Sequence, residues 1–113
     1  MQVVYVAAPF RGPHAWAIEQ NVRLAESTGL EVARLGAMPL IPHTNTRFFH
    51  GTLPDEFFIE GTLALMHKCD AALFVGNWQG SSGCMGEHRS CELRGIPKFY
   101  TLAELAAWLG GGK

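Results

Sequence analysis

The chain has 113 residues, room for one hydrophobic core but not two, and its nine basic and ten acidic residues give a formal net charge of −1. That balance leaves no global positive field to hold a nucleic-acid polymer, although a free nucleotide needs only a small pocket. Apolar residues make up 48% and charged residues 17%, and no segment combines the low hydropathy and high charge of a disordered region.

In chain order, residues 2–8 (QVVYVAA) form an apolar run rich in β-branched residues and ended by Pro9 and Gly12, which predicts a buried strand and a turn. From Pro13, a good first helical residue, apolar positions including Trp16, Val22, Ala25, Val32 and Leu35 recur at helical spacing up to Gly36. Gly29 is the weak point of that helix. Residues 38–41 give a second strand, and Pro39 assigns it to an edge, where a missing N–H does no harm. Residues 43–54 read as a long polar and aromatic loop, the kind that is often functional. Asp55 to Lys68 reads as a helix carrying Phe57, Phe58, Leu63, Leu65 and Met66.

Residues 71–75 are the clearest buried strand, and they open into a run of turn residues from Gly76 to Gly83. A third helix runs from about Cys84 to Arg94 and closes at Gly95. Residues 98–100 form the last strand, and Thr101 with Glu104 makes a capping box for a final helix through Trp108. Residues 110–113 read as a flexible tail.

Strands alternating with helices predict one α/β domain over residues 1–113. Its architecture is a small flavodoxin-like or Rossmann-like parallel sheet of four to five strands with helices on both faces. Ligands of such sheets sit outside the C-terminal strand ends, where the strand order reverses. The first residues, Met1 to Val6, lack the basic and long apolar stretches of a signal peptide, and no apolar run is long enough to span a bilayer. Cys69, Cys84 and Cys91 are an odd number without a disulfide framework, which fits reduced thiols. The expected location is the cytoplasm, with no membrane partner.

Two loops at the ligand edge carry chemistry. At Ser81-Ser82-Gly83, helix N–H groups without intrahelical partners and the positive end of the helix dipole favour an anion, and glycine permits its close approach. Ser81 or Ser82 acting only as a helix cap is the plainer alternative. Facing them, Arg11-Gly12 offers a fixed charge and a forked donor for phosphate oxygens, unless Arg11 is simply solvated. His43, after strand two, would donate to a phosphate or orient Arg11. Trp78 and Phe10 are placed to stack on a base or to lid the core, and Asn77, in the loop with Trp78, is a further candidate for nucleotide binding.

Glu87 lies about one helical turn past Gly83. A carboxylate beside a bound anion is electrostatically unfavourable, which points to chemistry: a nucleophile or base acting on a sugar carbon. A first-turn glutamate favoured by the helix dipole is the alternative. Cys84, His88 and Cys91 share one helical face, but zinc sites usually draw on two segments with close Cys-x2-4-Cys spacing, which is absent here. Packing thiols and no metal are expected. No Gly-x-Ser-x-Gly elbow or phosphate-binding Gly-Lys-Ser/Thr loop is present.

Taken in order, Tyr5, Phe10-Arg11-Gly12, Pro42-His43, Cys69-Asp70-Ala71 and Ser81-x-Gly83-x3-Glu87 resemble the nucleoside 2-deoxyribosyltransferase-like superfamily. The chain looks closest to the branch of 2'-deoxynucleoside 5'-phosphate N-hydrolases and their small bacterial or phage-borne relatives. The resemblance implies that Glu87 is the nucleophile, that Tyr5 orients it, and that Arg11, Gly12, Ser81 and Gly83 hold a 5'-phosphate. It also implies a homodimer in which the segment from Thr44 to Leu53 closes the partner's pocket. Relatives carry an aspartate where this chain has Thr62, so Glu60, two residues earlier, is the substitute candidate for protonating the leaving base.

The expected function is an N-glycosidase or deoxyribosyltransferase acting on a nucleotide or nucleoside without a cofactor. The alternatives are a non-catalytic nucleotide sensor on the same fold and an interaction domain with a structural Cys/His cluster.

Overall fold

A computed structural model describes residues 1–111. Strand β1 (Val3–Ala7) leads into α1 (Ala15–Arg34), β2 (Met38–Leu40), a one-turn α2 (Pro42–Asn45) and α3 (Asp55–Met66). Strand β3 (Ala71–Phe74), a 3-10 turn (Trp78–Gly80), α4 (Ser82–Arg94), β4 (Lys98–Phe99) and α5 (Leu102–Gly111) follow. All four strands are parallel, in the order β2-β1-β3-β4, so this is the α/β sheet expected from the sequence. Residue Val4 lies beside both Pro39 and Ala71, and β2 is an edge strand as Pro39 requires.

Alternation along β1 separates two cores. Val4 and Val6 face α1 and α5, packing with Ala25, Val32, Leu73 and Leu105. Tyr5 and Ala7 face the other side and pack with Met66, Phe74 and Cys91 from α3, β3 and α4. Helices therefore cover both faces. The chain steps to one side of β1 for β2 and to the other for β3, so the strand order reverses between β1 and β3. Among the described residues no helix is long and apolar enough to cross a membrane.

Several local details differ from expectation. Helix α1 begins after His14, not at Pro13: His14 is extended, and its Nδ1 accepts from Ala17 N at 3.1 Å, an imidazole taking the role usually filled by an oxygen. Gly29 is a point of close packing rather than weakness, because a Cβ there would stand 2.5 Å from Ile41 Cδ1. The expected loop from residue 43 begins inside α2, which Pro42 starts from its first turn. Gly110 and Gly111 continue α5, because each added residue gains a helical hydrogen bond. The rest of the expected tail, residues 112–113, lies outside the described residues.

Candidate active site

Tyr5 is fully buried on the α3/α4 face of β1, and its hydroxyl donates to Oε2 of Glu87. Helix α4 is capped by Ser81, whose Oγ accepts from Cys84 N at 3.2 Å, and it ends on Gly95 in the left-handed conformation. Between these stops, Cys84, Glu87 and Cys91 lie at i, i+3 and i+7, a spacing that turns them together toward the sheet. The thiol of Cys84 lies beside the Glu87 carboxylate. From α3, Thr62 brings its hydroxyl within reach of Tyr5 and also donates to the Ile59 carbonyl at 3.0 Å. Three elements thus meet around one carboxyl group.

Burial raises the pKa of Glu87 from 4.5 to about 7, against the hydrogen bonds from Tyr5 and Cys84, which lower it. Burial, and then the Glu87 charge, hold the Tyr5 pKa well above its ordinary value. Burial also pushes Cys84 to about 11. At neutral pH both neighbours are therefore protonated, and Glu87 is close to its midpoint. That combination suits a carboxylate that alternates between a free anion and a covalent ester.

The ligand loops differ from expectation in part. Ser81 is committed to the helix cap, while Ser82 and Gly83 occupy the first turn of α4 and are exposed. Arg11 does not stand free: its guanidinium pairs with Asp55 Oδ2 at 2.9 Å, with the Arg11 side chain 75% exposed. Gly12 is required by packing, since a Cβ would stand 2.7 Å from that of Ala17. His43 neither reaches Arg11 nor is left free for a phosphate. Burial lowers its pKa, and the neutral ring donates through Nε2 to the Pro9 carbonyl at 3.0 Å.

Phe10 packs edge-on against His43, with centroids 5.3 Å apart. Asn77 folds over Gly80 within its own turn, where a Cβ would stand 2.6 Å from Asn77 Nδ2. Trp78 stacks on His88 at 4.8 Å and on Tyr100 at 5.5 Å, and it packs on Phe74, as a lid on the core.

Glu60 is exposed. It precedes Thr62 by two residues, about 200° around α3, so it does not share the face that meets Tyr5. Asp70 accepts from Val3 N at 2.7 Å, at the N-terminal end of the strands and so at the end opposite the ligand edge. His88 turns to Tyr100 and Glu92. Cys91 Sγ lies 3.6 Å from Met66 Sδ. Among the described residues no group of three or more His, Cys, Asp or Glu is placed to hold a metal. A surface hollow lined by Ser82, Met85, Gly86, Arg89 and Glu92 runs along the outward face of α4, on the side away from Glu87.

Three contributors went unread in the sequence. Cys84 was legible from its i, i+3 spacing to Glu87 but had a simpler reading as packing. Asp55 is the partner of Arg11, and no local spacing announces a pair so far apart in the chain. Asn21 holds the β1–α1 loop, its Nδ2 donating to the carbonyls of Phe10 at 3.1 Å and Arg11 at 3.2 Å.

A family model described as a domain of unknown function (DUF7768) matches residues 2–101. Curated protein sequences give no match. Among solved structures, the chain is similar to a 2-deoxyribosyltransferase from the psychrotolerant bacterium Bacillus psychrosaccharolyticus. The TM-score is 0.65 at 18% identity, covering 85% of this chain and 69% of that one. The likeness is one of fold, and it is the fold that the sequence motifs imply.

Proposed function

The chain belongs to the DUF7768 family, and we propose that it cleaves the base–sugar bond of a nucleotide or nucleoside through a glutamate nucleophile. The observation that carries this reading is the buried Tyr5 hydroxyl donating to Glu87 beside the point where the strand order reverses. The neighbouring fold belongs to a 2-deoxyribosyltransferase, which fits a nucleoside ligand.

In the first step a Glu87 oxygen bonds to the anomeric carbon as the carbon–nitrogen bond breaks, and the electron pair leaves with the base. Tyr5 holds the other carboxylate oxygen. In the second step, water or another base attacks the same carbon and releases Glu87. The α4 N-terminus, at Ser82 and Gly83, and an Arg11 released from Asp55 would hold a 5'-phosphate. Phe10, Asn77 and Trp78 would border the base. Thr62 carries no acid and Glu60 is turned away, so protonation of the departing base has no residue assigned to it.

The proposal includes a homodimer. Phe48, Phe49, Leu53, Phe57 and Ile59 are all exposed, with Phe48 at 83%, and lie in or next to the segment expected to close a partner's pocket. Three buried free cysteines fit a reducing, cytoplasmic setting.

The test is incubation with a panel of deoxynucleosides and their 5'-monophosphates, following free base by chromatography. Release that is abolished in Glu87→Gln supports the assignment, and release that is undiminished in that variant sinks it. A second reading, a nucleotide sensor without turnover, is favoured by Thr62 in place of an acid. It predicts ligand-dependent melting with no base released.

A further inference from the structure

Two protonated groups lie against Glu87, and only one of them, Tyr5 on β1, has been given a role in the proposed chemistry. The other comes from α4 itself. Cys84 is 1% exposed and sits three residues before Glu87, so the two side chains lie against each other on the sheet-facing side of the helix. Its backbone N–H donates to Ser81 Oγ at 3.2 Å, and the Ser81 hydroxyl is in turn within reach of the sulfur.

The groups facing Glu87 are Tyr5 from β1, with Thr62 of α3 behind it, and Cys84 and Cys91 from α4. Of these, Cys91 is turned to Met66. Cys84 and Tyr5 are left as the two protonated groups beside the carboxylate.

We propose that Cys84 is a positioning residue: its thiol donates to the Glu87 carboxylate, fixes that side chain, favours its ionised form and links it to the Ser81 cap of α4. A thiol is a weak donor, but in a buried site even a weak donor to a charged group counts, because water cannot replace it.

This inference rests on Glu87 being the reactive group, yet its test does not need turnover. The full chain, labelled with 13C at the glutamate carboxyl carbon, is titrated by NMR, with the Glu87 resonance assigned from Glu87→Gln. In Cys84→Ala the Glu87 midpoint should rise by about half a pH unit or more, because a donor to the charged form is gone. In Cys84→Ser, which keeps a donor, it should stay at or below the wild-type value.

Water entering the space left by the sulfur would move the midpoint down, so a rise reports the lost donor. The control is Cys69→Ala, a buried thiol that bonds to the Leu65 carbonyl, and it should leave the midpoint in place. An unchanged or lowered midpoint in Cys84→Ala, or an equal rise in Cys69→Ala, overturns the proposal. If Cys84→Ala does not fold, Cys84→Ser decides: a midpoint above wild type overturns it, and one at or below supports it. Expected shifts with no base release in any variant would sink the glycosidase and keep the positioning role. Base release with an unmoved midpoint would do the reverse.

Discussion

Tyr5 and Glu87 are 82 residues apart in the chain, yet the hydroxyl of one donates directly to the carboxylate of the other. The contact joins the central strand to α4 and gives a partly buried acid a fixed orientation. Tyr5→Phe removes the donor without changing the ring, so Glu87 becomes harder to ionise. Base release at pH 7 should fall on the order of 10-fold or more and recover partly as pH rises. A kcat/KM profile of the variant checks this; a proportional loss at every pH would mean that Tyr5 does not act through the charge of Glu87.

Catalysis by the anion should follow Glu87 ionisation. With its pKa raised to about 7, activity should climb through neutral pH and level off above it, rather than through the ordinary carboxylate range. An acidic limb centred near pH 4.5 in kcat/KM would contradict the buried environment.

Stability carries the opposite sign. Because the folded pKa lies above the unfolded value of 4.5, the folded chain binds more protons between about pH 4.5 and 7, and stability falls as pH rises through that window. Glu87→Gln never ionises and keeps an acceptor for Tyr5. It should be more stable than wild type at pH 8 by roughly 2 kcal/mol, with the gain shrinking toward pH 4.5. Denaturant melts at the two pH values check this, and equal gains at both would contradict it.

Arg11 spends its charge on Asp55 at the protein surface, a pairing that contributes little to folding. Arg11→Ala should therefore leave the melting temperature essentially unchanged while weakening binding of a deoxynucleoside 5'-monophosphate more than of the deoxynucleoside. Calorimetric titration of both ligands tests the difference. Equal losses would remove Arg11 from the phosphate site.

Gly95 ends α4 at φ +70°, with open space where a Cβ would stand. Gly95→Ala meets no clash, only the backbone cost of the left-handed conformation. It should lose about 1 kcal/mol in urea unfolding and leave the Glu87 titration alone.

Local patterns were the legible part of this chain. Ala71 to Phe74 reads as a strand because four apolar residues are bounded by turn formers, and all four are buried. Thr101 and Glu104 read as a capping box, and the bonds are present, Glu104 N to Thr101 Oγ1 at 3.1 Å and Thr101 N to Glu104 Oε1 at 3.0 Å. The placement of Glu87 one turn into α4 followed from helical geometry alone. What depends on folding was hidden: Arg11 finds Asp55 only once α3 packs beside the first loop, and His14 caps α1 with a ring nitrogen outside the usual capping set. Helical phase was available and argued against Glu60, since residues two apart on a helix point to different sides.

Pro39 has a further effect at the edge of the sheet. Met38 N bonds inward to Gln2 O at 2.9 Å, so the alternation of a strand directs the nitrogen of Pro39 outward, where an approaching fifth strand would seek a donor and find a pyrrolidine ring. In a strand only three residues long, that one substitution removes the docking register. Copies of this protein are thereby steered away from pairing along the β2 edge of the sheet.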